Sequence, residues 1–143
     1  GGFYPISAVL SNSEVLGVLK PGEHGSTFGG NPLACAVART ALKVLIEEKM
    51  IENAAEVGRY FLEALQQIQS PLIKEVRGRG LMIGLELFPR AGGARTYCER
   101  LMSLGVLCKE THDNIIRFTP PLIIKKEEID WAMEKITSVF ANA

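Results

Sequence analysis

The stretch IKEVRGRGLMIGLEL, residues 73–87, constrains the fold of this chain more than any other. Leu81, Ile83, Leu85 and Leu87 alternate with polar or small residues, so they fall on one side of an extended backbone. Such a pattern buries one face of a sheet and leaves the other open. Gly78 and Gly80 interrupt the run and supply a bend, giving strand, bend, strand. A half-buried strand pair needs something to cover its apolar face, and the flanking segments must provide it.

They read as helices. From Leu33 the apolar residues Val37, Ala41, Val44 and Leu45 recur at helical spacing to about Lys49. Asn31 caps that helix, and Pro32 sits where a missing N–H costs nothing. A second helix covers roughly 51–69 through Ala54, Phe61, Leu65 and Ile68, and a third covers 95–104 and ends at Gly105. Two short strands, VLCK and IIRF, come next around the turn THDN; TPPL then breaks the chain, and a last helix spans about 126–141 with Ile129, Met133, Ile136 and Phe140 inward. Residues 3–10 also alternate, with Ile6, Ala8 and Leu10 on one side, and read as a strand. The expected fold is α+β: a small, mostly antiparallel sheet with helices packed on one face. The change from glycine-rich loop to periodic helix at Asn31-Pro32 sets the expected boundary, with residues 1–33 as one piece and 34–143 as a compact domain.

The composition fits a folded domain and excludes some partners. Of the 143 residues, 47% are hydrophobic and 22% charged, enough to bury a core. Lys plus Arg and Asp plus Glu are both 16, so there is no basic surplus of the kind nucleic acid binding requires. No apolar run is long enough to span a membrane, so no membrane partner is expected. Cys35, Cys98 and Cys108 are odd in number and lie among apolar residues, which reads as reduced thiols in a cytoplasmic compartment. The chain opens on GGFYPISAVLS without a starting Met, as a piece of a longer protein would.

Several stretches can carry chemistry. HGSTFGGNPLACA, residues 24–36, joins exposed glycine backbone and the hydroxyls of Ser26 and Thr27 to a helix start, the ingredients of an anion site. On composition alone a flexible connector, with Asn31 only a cap, is the plainer reading; no Walker lysine is present. Arg117 sits in the apolar strand IIRFTPPL, where its planar fork suits a carboxylate; an arginine on the solvent face of a half-exposed strand is the alternative. Arg77 and Arg79 in VRGRG read as a bend with two solvated arginines. His24 and His112 lack acidic or cysteine partners at ligand spacing, so no metal is expected. Lys109, in CKETH, reads as a surface lysine.

Taken in order, GGFYPISAVL, PGEHGSTFGGNPLACAVA, VRGRGLMIGLEL and IIRFTPPL resemble the C-terminal part of class III pyridoxal-phosphate aminotransferases, over nearly the whole chain. KPGEHGSTFGGNPLAC and CKETHDNIIRFTPPL are most similar to members acting on ornithine, with those acting on acetylornithine or 4-aminobutyrate as alternatives. The resemblance implies the C-terminal domain of a fold-type I enzyme, residues 1–33 being a remnant of the large cofactor domain. It implies that Thr27, with Ser26 beside it, binds the phosphate of pyridoxal 5'-phosphate in the neighbouring subunit of a homodimer with shared active sites. It implies that Arg117 receives the α-carboxylate of glutamate or 2-oxoglutarate. It further implies that the lysine carrying the cofactor lies a few residues before Gly1, so that this chain holds no catalytic residue and is inactive alone. The competing class is a non-catalytic α+β module for binding or assembly.

Overall fold

The computed structural model describes residues 2–141. Contacts divide the chain into two compact units, Gly1–Glu48 and Lys49–Ala143.

In the first unit a four-residue helix, α1 (Ser13–Leu16), precedes the long helix α2 (Pro32–Glu47). Asn12 starts α1 by accepting from Val15 N–H at 3.1 Å, and Gly17 ends it. Residues 3–10 do not form the expected strand; they run as a turn followed by chain with no regular secondary structure, with Val9 and Leu10 exposed. Alternation supplies an apolar face, but a strand exists only where its backbone groups pair, and no described residue of this unit forms a strand. The expected boundary at 33/34 grouped α2 with the residues after it; by contacts, α2 clusters with the residues ahead of it.

The second unit is a four-stranded, wholly antiparallel sheet in the order β1-β2-β4-β3. Its strands are β1 (Ile73–Arg79), β2 (Met82–Leu87), β3 (Lys109–Thr111) and β4 (Ile115–Phe118). The helices α3 (Met50–Gln66), α4 (Arg95–Ser103) and α5 (Lys126–Ala141) complete it, α3 and α4 lying on the strands and α5 against both of them. The core joins Val57, Phe61 and Leu65 of α3 and Tyr97 and Leu101 of α4 to Ile129, Ile136 and Phe140 of α5. It meets Ile83, Leu85, Leu87, Ile116 and Phe118 from the inward side of the sheet. Phe61 and Phe118 pack edge to face at 5.6 Å, and Tyr97 stacks on Phe140 at 5.2 Å. The expected α+β fold, with helices on one face, is the fold observed.

Local sequence explains most of the ends. Gly105, at φ 89°, closes α4 through Val106 N–H to Leu101 O and Gly105 N–H to Met102 O. The expected strand at VLCK begins late: β3 starts at Lys109, opposite Arg117, and runs on through Thr111. The turn between β3 and β4 puts His112 (φ 48°) and Asp113 (φ 59°) in the left-handed region.

One close approach fixes α3 on the sheet. A Cβ built on Gly58 of α3 would stand 2.2 Å from the carbonyl carbon and oxygen of Gly80, in the β1–β2 turn. Backbone therefore rests on backbone, and any side chain at 58 would drive the helix off the strands. Gly58→Ala should destabilise the chain by about 2 kcal/mol or more, read from urea unfolding of the second unit. A midpoint within experimental scatter of the unsubstituted protein would show that α3 can shift freely.

Candidate functional site

The two candidate sites fall in different units. In the first, the loop ahead of α2 is exposed throughout residues 21–30. Lys20 N–H donates to Glu23 Oε2 at 2.7 Å, and Gly22 (φ 91°) reverses the chain. Gly29 N–H donates to Ser26 Oγ at 3.1 Å, which folds the Ser26–Gly29 turn and leaves the hydroxyl proton of Ser26 available. Thr27 has no side-chain hydrogen bond among the described residues and is presented to solvent.

The helix terminus itself is less available than the sequence suggests. Asn31 Oδ1 accepts from Ala34 N–H at 2.9 Å while its Nδ2 donates to Phe28 O at 2.9 Å, and Pro32 has no N–H. Most of the α2 end is thus satisfied internally. An anion here meets loop hydroxyls and loop N–H groups before it meets the helix. The donor set of Ser26, Thr27 and the exposed glycine backbone fits a phosphate group, whose oxygens accept hydrogen bonds.

In the second unit Arg117 lies on β4 with its side chain on the solvent face, between the inward Ile116 and Phe118. Its cross-strand neighbours are Gly84 on β2 and Lys109 on β3. Gly84 in turn pairs with Arg77 on β1, so one row across the open face reads Arg77, Gly84, Arg117, Lys109. The charges in that row are treated unequally. Arg77 Nη1 reaches Glu86 Oε2 at 2.6 Å and Glu75 Oε2 at 2.9 Å, and Lys74 Nζ reaches Glu86 Oε1 at 2.6 Å. Lys109 is held by Glu110 at 2.9 Å. Arg117 has no carboxylate and no side-chain hydrogen bond among the described residues. Like charges facing each other across strands disfavour a sheet, and Arg117 faces Lys109 with its planar fork unoccupied by any carboxylate of the described residues.

The ion pairs leave their mark on Glu86. Hydrogen bonds from Lys74, then from Arg77, hold its carboxyl below the usual glutamate range, and the bond to Glu86 raises Arg77. Arg77 is therefore a paired arginine of the open sheet face, and Arg79 stands exposed at the bend. Burial pushes the Cys98 and Cys108 thiols up, and all three cysteines are free. No group of three His, Cys, Asp or Glu among the described residues is arranged to hold a metal ion, and no helix there is long and apolar enough to cross a membrane. A hollow of about 640 Å³ in the second unit is lined by α5 and the Thr119–Pro121 segment. Its lining is mostly apolar, with Phe61, Phe118, Pro120 and Trp131, and its polar groups are Thr119, Glu127 and Glu128; Arg117 is not part of it.

Gly84 and Lys109 as neighbours of Arg117 are what a residue-by-residue reading misses. The signal was present in the turn length: with Thr111 opposite Ile115, counting outward brings Lys109 opposite Arg117.

Residues 1–140 match the family described as "Aminotransferase class-III". The chain is 62% identical over 142 residues to the ornithine aminotransferase of Geobacillus sp. (strain WCH70), covering 99% of this chain and 35% of that protein. It is 59% identical over 143 residues to that of Bacillus subtilis (strain 168), covering 100% of this chain and again 35% of the relative. Among solved structures, the ornithine aminotransferase of Plasmodium yoelii superposes with a TM-score of 0.92 at 44% identity, covering 99% of this chain and 38% of that one. The acetylornithine aminotransferase of Elizabethkingia anophelis superposes with a TM-score of 0.90 at 42% identity, covering 99% and 36%. The chain spans about a third of the length of the curated relatives it matches. It belongs to the class-III aminotransferase family, whose members depend on pyridoxal phosphate.

The charge network on the open face yields a pH test. Folding lowers the Glu86 pKa, so its ion pairs add stability above the unfolded glutamate value and lose it as pH falls through the folded one. Glu86→Gln should lower the melting temperature at neutral pH and leave it unchanged at a pH where Glu86 is protonated both folded and unfolded. An equal drop at both pH values would mean that packing, not charge, is what Glu86 contributes.

Proposed function

We propose that this chain is the C-terminal part of an aminotransferase that moves the δ-amino group of ornithine to 2-oxoglutarate, giving glutamate semialdehyde and glutamate. The observation that carries this reading is Arg117, an arginine without an intramolecular carboxylate on the open face of the sheet, in a row whose Arg77 and Lys109 are paired. Ornithine is the favoured amine because the relatives named for it stand at 57–62% identity over nearly the whole chain.

In this reading residues 1–33 belong to the large cofactor domain, and the remainder forms the small domain that carries the substrate clamp. Pyridoxal phosphate, when bound, supplies the electron sink that lets an amino group leave one carbon and join another. The chain's own residues hold and orient. Ser26 and Thr27 donate O–H and N–H to the phosphate, in the site of the partner subunit of a homodimer. Arg117 grips a substrate carboxylate with two parallel N–H donors, which fixes the substrate's orientation as well as its affinity.

The lysine that holds the cofactor lies outside this chain. Lys20, Lys43, Lys49, Lys74, Lys109, Lys125 and Lys126 are all exposed, and Lys135 is half-buried and paired with Glu134. None is desolvated in the way that makes a lysine a nucleophile at neutral pH.

In the complete protein, Arg117→Ala should lower kcat/KM for 2-oxoglutarate by about tenfold to a hundredfold while cofactor content stays full, and Arg117→Lys should restore little of it. Steady-state kinetics with cofactor absorbance checks this; unchanged kinetics would make Arg117 a surface residue. The isolated chain mixed with pyridoxal phosphate should give no covalent adduct after borohydride reduction and no turnover of ornithine, while Thr27→Ala in the complete dimer should speed cofactor loss. A stoichiometric adduct on one lysine of this chain, found by mass spectrometry, would reverse the assignment.

A further inference from the structure

Gly84 is a glycine that neither its backbone nor its packing requires. It sits inside β2, paired on both sides, where glycine loses more conformational freedom on folding than any other residue. Its φ is not among the left-handed values that other glycines of the chain adopt. A Cβ built on it meets only Ile115 Cγ2 at 3.4 Å and the Arg77 carbonyl oxygen at 4.0 Å, which is ordinary contact. The contrast with Gly58, where a Cβ would fall 2.2 Å from backbone, is direct. A strand glycine with room for a side chain marks a place where something else approaches the sheet.

The surroundings say what approaches. Gly84 stands directly opposite Arg117 on the open face. Of the two strands flanking that arginine, β3 presents Lys109, a cation already held by Glu110, and β2 presents no side chain at all. The carboxylates of Glu75 and Glu86 are drawn to Arg77 and Lys74 on the far side of Gly84, which leaves the Arg117 fork open. On the β2 side of that fork no side chain stands at the paired position, which leaves room there, bounded by Ile115, for the carbon skeleton of a carboxylic acid.

We propose that Gly84 is the open floor of the Arg117 carboxylate site: its missing side chain makes room for the skeleton of the bound amino or 2-oxo acid against β2, and so helps set which acids fit. This rests on the reading of Arg117 as the carboxylate-binding arginine. Gly84 does no chemistry; it determines specificity through the space it leaves.

The test uses the complete protein with its cofactor and 2-oxoglutarate as probe, comparing Gly84→Ala, Gly84→Val and Arg117→Ala. Alanine fits the strand and reduces the entropy lost on folding, so Gly84→Ala should melt at the same temperature or higher. It should nevertheless raise KM for 2-oxoglutarate by about threefold, and Gly84→Val by about tenfold or more, with kcat within about twofold and cofactor absorbance unchanged. A glycine kept only for folding would give the opposite pairing, lower stability with unchanged KM. If both Gly84 variants keep KM within about twofold while Arg117→Ala raises it sharply, the floor is wrong and the arginine stands. If Arg117→Ala is itself silent, the carboxylate site falls and the floor falls with it. Should Gly84→Val fold poorly, Gly84→Ala alone decides, because its methyl group is accommodated by the strand.

Discussion

Everything in the second unit hangs on the two sides of β2. Its inward residues Ile83, Leu85 and Leu87 are almost wholly buried, and burying a side chain of that size is worth about 1.5–3 kcal/mol each. Its outward residues Gly84 and Glu86 lie on the open face. Because β2 pairs with β1 on one edge and β4 on the other, the core that fixes its register also fixes which residues stand beside Arg117. A slip of one residue would turn Leu85 outward and move Gly84 into the core, so the packing of apolar side chains holds the polar row in place.

The open face then divides its charges. Glu86 is shared between Lys74 and Arg77, and Glu110 serves Lys109, so each of these cations is answered within the chain. Arg117 is not. Exposed ion pairs contribute little to stability, typically below about 1 kcal/mol, so pairing Arg117 as well would have added almost nothing to the fold. What pairing would have removed is a fork free to take an outside carboxylate, and the geometry keeps that fork free by placing a glycine rather than an acid opposite the arginine. Under the proposed function the free fork of Arg117 serves binding rather than folding.

The first unit is organised differently. Among its described residues only Ala34 is buried, and Phe3, Leu10, Val18 and Phe28 are largely exposed. Its structure comes from local capping: Asn12 on α1, Ser26 on Gly29, and Asn31 on Ala34. Such contacts shape a loop without a core beneath it. Under the proposed function the remaining two thirds of the protein, and its partner subunit, supply the apolar surface that these side chains lack.

Much of this was legible in the sequence. Helical spacing located α2 to α5 within a few residues of their ends, because amphipathic helices carry their burial pattern in the chain itself, and the alternation at 81–87 located β2 and its buried face. Asn31 with Pro32 announced a helix start by capping chemistry that acts over three residues. The same alternation at 3–10 misled, since a strand depends on a partner that alternation does not provide. Arg117 was identifiable as a candidate from its apolar setting, but its unpaired state was not, because another register would bring Glu75 or Glu86 within reach of it. Only the packed sheet decides that those carboxylates turn to Arg77 and Lys74, and that Gly84 is the residue facing Arg117. The sequence determined the elements and the residue types through interactions between near neighbours; the neighbours across strands were chosen by the tertiary fold, because burial of the inward row sets the register on which every outward pair depends.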